Sequence, residues 1–257
     1  MNTRCKLIAL QTISAREVRR FMRIWVQTVL PPVVTTALYF VIFGNLIGPR
    51  IGQMNGFDYM EFIIPGLIMM AVITNSYANV VSSFYGSKFQ RHIEEMLISP
   101  VPNYIILLGY VSGGVARGLI VGVAVIMVSL AFNPLNLHSI PVMLSMILLT
   151  SILFSLAGLI NGVYANSFDD ISIIPTFVLT PLTYLGGIFY SISMLPDFWQ
   201  HASLANPILY MVNAFRYGFL GISDISLWTS YAISIGFIIT LYVFSLHLLR
   251  IGYGIRS

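Results

Sequence analysis

The chain has 257 residues, 57% of them hydrophobic and 9% charged, with a formal net charge of +4. Soluble domains carry about 25% charged residues, so this composition excludes an ordinary soluble fold and fits a chain whose solvent is largely lipid. The basic residues sit mostly beside apolar runs, which points to membrane orientation and away from nucleic acid, and Cys5, the one cysteine, excludes an internal disulfide and a cysteine-based metal cluster.

The first 25 residues hold Arg4, Lys6, Arg16, Arg19, Arg20 and Arg23, and no uninterrupted apolar core of signal-peptide length fits between Lys6 and Arg16. From Gln11 to Trp25, Ile13, Phe21 and Ile24 are mixed with Arg16, Glu17, Arg19, Arg20 and Arg23. That mixture predicts a helix over about 11–25 lying in the cytoplasmic interface, its arginines reaching lipid headgroups; a plain basic flank is the alternative. Six later stretches reach the roughly 20 apolar residues needed to span hydrocarbon: about 26–48, 62–84, 103–132, 140–164, 170–190 and 229–249. The third is long enough to tilt or project. The expected fold is therefore all-α, a single transmembrane domain over 1–257 with six spanning helices.

Three connections carry structure of their own. Residues 88–100 are rich in helix formers, and Pro100 and Pro102 end them. Ile93, Met96 and Leu97 fall on one helical face, with Glu94 and Glu95 beside it. That face needs cover from the bilayer surface, the protein itself or a partner. Asp169 and Asp170 open the fifth stretch, as helix caps or as a contact to a cytoplasmic partner. The connection 191–227 is too long and too apolar for a plain loop. Pro196, Pro207 and Gly221 divide it into two helices, about 195–204 and 207–220, that re-enter the outer leaflet without crossing. A seventh span is the alternative, and it would have to bury Arg216.

Orientation follows from the basic residues. Arg4, Lys6, Arg16, Arg19, Arg20, Arg23, Lys88, Arg91, Arg250 and Arg256 fall on one side, against Arg50 and Arg216 on the other. The richer side is cytoplasmic, so both termini are expected there.

Catalytic and metal motifs are missing from the sequence. A P-loop needs GxxxxGK followed by Ser or Thr, and the two lysines, Lys6 and Lys88, precede Leu7 and Phe89. His92, His138, His201 and His247 are scattered, without HExxH or GxSxG, so neither a metal nor a cofactor is expected on this chain. No carboxylate lies inside an apolar run, where ion-driven carriers usually place one. What remains is polar spacing within spans. Asn75, Asn79 and Ser82/Ser83 form one stripe, and Thr176, Thr180, Tyr184 and Gly187 another. Each either faces a polar pathway or hydrogen-bonds between helices. Gly114, Gly118 and Gly122 make a doubled GxxxG that predicts close helix approach. Arg117, on the same span, is a functional candidate by its charge, or else pairs with carbonyls or Asn161.

Nearly the whole chain resembles the permease subunit of ABC-2-type transporters, bacterial exporters related to drug-efflux, polysaccharide and nodulation-factor permeases. The resemblance is carried by Pro181-Leu182-Thr183-Tyr184-Leu185-Gly186-Gly187-Ile188-Phe189-Tyr190 through Leu195-Pro196, by Asn206-Pro207 and Phe215-Arg216-Tyr217-Gly218, and by Glu94-Glu95-Met96-Leu97-Ile98-Ser99-Pro100. It implies a bacterial inner-membrane protein in which two six-span units, here two copies, pair with two separate ATPase subunits that hold ATP and magnesium. It also implies that Arg91, Ile93, Glu94, Glu95, Met96, Leu97 and Pro100 form a coupling helix seated in a groove of the ATPase, which would cover Ile93, Met96 and Leu97. Spans two and five commonly line the path in that family, which marks Asn75, Asn79, Thr176, Thr180 and Tyr184 as candidate pathway residues. A secondary transporter or channel is the competing reading. An intramembrane enzyme would need a convergent catalytic pair, which the sequence does not show. Drugs, lipids and glycans all fit such a path.

Overall fold

The computed structural model describes residues 2–134 and 137–254; Arg256, counted above among the cytoplasmic charges, lies outside them. Helix α1 (Thr3–Arg23) starts where the Asn2 side chain accepts from the Thr3 amide at 2.8 Å, so it extends well upstream of the predicted segment. After a break at Ile24, α2 (Trp25–Tyr39) continues through a π-helical stretch, Phe40–Ile47, into α3 (Gly48–Ile51). Together Trp25–Ile51 form a 27-residue apolar run. A minimal antiparallel hairpin, β1 (Gln53–Met54) and β2 (Phe57–Asp58), turns on Asn55 and Gly56, both at positive φ. It sends the chain back as α4 (Tyr59–Phe89), followed by α5 (His92–Ile98), α6 (Asn103–Ser129) and α7 (Ile140–Tyr164).

The next run is shorter than predicted. Helix α8 (Asp170–Ile174) passes through a π turn, Pro175–Leu179, into α9 (Thr180–Tyr184) and stops. Pro175 and Pro181 remove amide donors from it, and Gly187 at φ 71° turns the chain away. At 1.5 Å per residue this run is about 22 Å long, short of the roughly 30 Å hydrocarbon core. A 3-10 turn (Ile192–Met194), α10 (Asp197–Leu204), α11 (Pro207–Leu220) and α12 (Leu227–Ile251) complete the chain. Among the described residues five helical runs are long and apolar enough to cross a bilayer: 25–51, 59–89, 103–129, 140–164 and 227–251.

Helix α4 is the hub. It is apolar on nearly all sides and buried along most of its length, packed by α6, α7 and α11, as expected of a helix with no lipid face. Small residues bring its neighbours close. A Cβ on Gly158 of α7 would stand 2.6 Å from the Tyr77 carbonyl oxygen. Gly114, Gly118 and Gly122 of α6 face Val80, Ser76 and Val72 of α4 on one side, and Ser155, Ser151 and Ile147 of α7 on the other. The doubled GxxxG is thus the contact face that the spacing predicts.

Both expected helices in the 191–227 connection are present. Asn206 caps α11 by accepting from the Ile208 amide at 3.0 Å, and Gly221 ends it at φ 74°. Helix α11 is an internal element, with Leu209, Met211, Val212 and Phe215 fully buried. Arg216 does not belong among the loop charges: it is 1% exposed. Its Nη2 donates to the Gly187 carbonyl at 2.5 Å, and its guanidinium lies 3.9 Å from the Phe62 ring centroid. Burying Arg216 therefore does not require a seventh span, because α11, at 14 residues, is too short to be one.

Candidate functional site

The end of the bundle that carries the N-terminal helix is organised around α1. Ile13, Glu17 and Phe21, each four residues from the next, form a buried stripe against α6 and α4. The segment predicted to lie on lipid is therefore docked along one face. Glu17, which the sequence places in a connection, is 1% exposed. Arg16 Nη2 meets its Oε1 at 3.0 Å, Arg20 Nε lies 3.4 Å from Oε2, and the Ser83 hydroxyl donates to Oε2. Arg20 Nη2 also donates to the Asn79 backbone carbonyl and to its side-chain oxygen, both at 2.8 Å. Asn79 is fully buried. In this arrangement it anchors α1 to α4.

The 88–100 segment forms the expected helix, α5, entered through Arg91 at φ 61°. Its contacts differ from those the resemblance implies. Ile93 is fully buried in a cluster with Phe84 and Tyr110 of its own chain, and Met96 and Leu97 pack half-buried on the same cluster. Arg16 reaches Met96 Sδ at 3.9 Å and Tyr110 Oη at 3.0 Å, linking α1 to both α5 and α6. The protein itself thus covers Ile93 and part of Met96 and Leu97. The solvent face carries Arg91, His92, Glu95, Ile98 and Pro100. Ile98 is 86% exposed, and Glu94 is half-buried between the two faces.

Further along the bundle, Arg117 of α6 does not pair with Asn161, whose amide donates instead to the Ile171 carbonyl at 3.2 Å. Arg117 Nη2 donates to Asn75 Oδ1 at 3.0 Å. The Asn75 amide nitrogen donates to the Ala71 carbonyl at 2.9 Å, which fixes the direction of that oxygen. The pair borders a cavity of about 310 Å³ between α2, α4 and α6.

Thr176, Thr180 and Tyr184 lie on one exposed face of the α8–α9 run. The Thr180 hydroxyl donates to the Pro175 carbonyl at 2.9 Å. Tyr184 comes within 3.4 Å of the Tyr39 hydroxyl and stacks on Phe189, which also meets Phe43. The two π-helical stretches thus belong to runs that touch each other. Irregular backbone at membrane depth is tolerated where protein or a cavity surrounds it.

The candidate residues fall into four places: α5, Asn79 at the α1–α4 contact, Asn75 with Arg117 at the cavity, and Thr176, Thr180 and Tyr184 on the open α8–α9 face. Sequence reasoning missed Glu17, Arg20 and the buried role of Arg216. For Glu17 the signal was the spacing of Ile13 and Phe21 around it.

The model of the family described as "ABC-2 type transporter" matches residues 8–220. The chain belongs to this family. It is 60% identical over 250 residues to the inner membrane transport permease YadH of Escherichia coli strain K12, covering 97% of this chain and 98% of that one. More distant relatives are the nodulation protein J of Sinorhizobium fredii, 25% identical over 70% of this chain and 69% of its own, and that of Rhizobium meliloti, 24% identical over 72% and 71%. The match spans α1 through α11, so the Arg117 cavity and the α8–α9 face both lie inside the ABC-2 domain.

Proposed function

We propose that this ABC-2 permease is the membrane-embedded half of an ATP-driven exporter, working as two copies with two separate ATPase subunits in the bacterial inner membrane, both termini cytoplasmic. ATP and magnesium then reside on the partner. The observation that carries this reading is α5. It is anchored by Ile93 yet holds Ile98 and Glu95 out into solvent, at the end of the chain richest in arginine. An exposed isoleucine beside a carboxylate, on a helix packed through Ile93, is a docking feature for a protein with a complementary groove. Family membership supports it, and the absence of a P-loop in the sequence leaves ATP hydrolysis to another chain.

Co-purification from membranes with an ATPase subunit tests the assignment, followed by transport in proteoliposomes. ATP-dependent flux that requires both proteins is the expected result. Gradient-driven flux through the chain alone would make it a secondary carrier and displace the proposal.

A further inference from the structure

Arg117 is the residue whose surroundings the transport reading leaves least explained. It lies 14 residues beyond Asn103, the first residue of α6, about 21 Å along a helix of roughly 40 Å. A guanidinium at that depth needs compensation. Its one hydrogen bond among the described residues goes to a neutral amide, Asn75 Oδ1, and its Nε is buried without a partner. No carboxylate of the described residues stands within 4.0 Å of it, and both oxygens of Glu17 are taken by Arg16, Arg20 and Ser83.

The cavity beside it supplies room for a counter-charge. It holds about 310 Å³ and is partly open. Gln27, Thr74, Asn75 and Arg117 are among its polar lining, and Pro31, Leu67 and Met70 among its apolar lining. One fixed cation with polar neighbours beside apolar wall residues is the pattern of a site for an amphiphile. The five N–H donors of a guanidinium suit a phosphate or carboxylate oxygen.

We infer that the groove between α2, α4 and α6 binds the anionic headgroup of an amphiphile, with Arg117 as its counter-charge, Asn75 orienting Arg117, and the apolar portion along Pro31, Leu67 and Met70. The headgroup belongs either to a phospholipid of the surrounding bilayer or to a single-chain anionic cargo; the recognising chemistry is the same. This inference does not rest on the ATPase reading, because its test uses the permease alone.

The test is mass spectrometry of the intact full-length protein in a neutral detergent with added phosphatidylglycerol, phosphatidylcholine, dodecyl phosphate or dodecyltrimethylammonium. The wild type is expected to retain an anionic amphiphile at least tenfold more tightly than the neutral or cationic ones. Arg117→Gln should erase that preference, Arg117→Lys should keep part of it, and Met70→Trp should weaken binding by filling the apolar wall with Arg117 intact. Retention of phosphatidylglycerol sustains the inference with a bilayer lipid as the source, and retention of dodecyl phosphate alone sustains it with a single-chain cargo. Unchanged anion retention in a folded Arg117→Gln protein would overturn it. So would equal retention of the cationic probe by the wild type. Should Arg117→Gln not fold, undiminished anion binding by Met70→Trp overturns it equally.

Discussion

Glu17 shows how a surface-type residue becomes structural. An ionised carboxylate taken out of water needs partners on both oxygens, and Arg16, Arg20 and Ser83 provide them. The network then continues through Arg20 to Asn79 of α4. Removing the carboxylate leaves two arginines that remain partly solvated, whereas removing Arg20 takes the donor from the Asn79 side-chain oxygen. Glu17→Ala is therefore expected to destabilise the protein by about 1–2 kcal/mol and to loosen α1 from α4, read as a lowered thermal unfolding midpoint in detergent. An unchanged midpoint would mean that the pairing contributes nothing net. Arg216 poses the converse case, a buried cation with a carbonyl and an aromatic face for partners. Arg216→Lys keeps the charge but loses the planar group that spans Gly187 and Phe62, so it should cost about 2 kcal/mol in the same measurement; a wild-type midpoint would show that only the charge counts. The sequence carried half of this scale. The four-residue spacing of Ile13, Glu17 and Phe21 is a readable stripe, but whether a charge beside an apolar run faces water or a neighbouring helix is decided by packing between distant segments.

At the scale of elements, the helix in 88–100 was legible because Pro100 and Pro102 stop it and its apolar positions share a face. Which side of it a partner would meet was not legible, since the same stripe serves equally to dock the helix on its own protein, and the Phe84–Tyr110 cluster fills that role. The two faces should respond differently to a charge. Ile93→Asp buries a carboxylate with no partner and is expected to cost several kcal/mol of stability. Glu95→Arg combined with Ile98→Asp lies wholly on the solvent face; it should leave the unfolding midpoint within a degree or two (about ±0.5 kcal/mol) while lowering ATPase co-purification at least tenfold. Intact association of that double variant would remove α5 from the coupling role. The fifth apolar stretch failed in length for a local reason. Pro175, Pro181 and Gly187 were in plain view, yet a hydropathy count of 170–190 sums side chains and does not register backbone donors lost within the run.

For the molecule as a whole, exposure separates two kinds of lipid-depth surface. Helix α12 turns Ser230, Ser234 and Ser245 inward and presents Ile235, Phe237, Ile239 and Val243 outward, as a lipid-facing helix does. The α8–α9 run does the opposite with its polar groups: Thr176, Thr180 and Tyr184 are exposed, beside an exposed Phe177. Hydrocarbon offers hydroxyls no partner, so this face is the one that a second copy or a polar path is expected to cover, and it adjoins the sparsely buried 25–51 run through Tyr39. Cysteine cross-linking in native membranes distinguishes the surfaces. In a Cys5→Ser background, Phe177→Cys should form a disulfide-linked pair at twice the monomer mass on mild oxidation, and Phe237→Cys on α12 should stay monomeric. Cross-linking at 237 alone would move the contact between copies to α12, and the Thr176–Tyr184 stripe would then face lipid with only its own helix and Tyr39 to satisfy it.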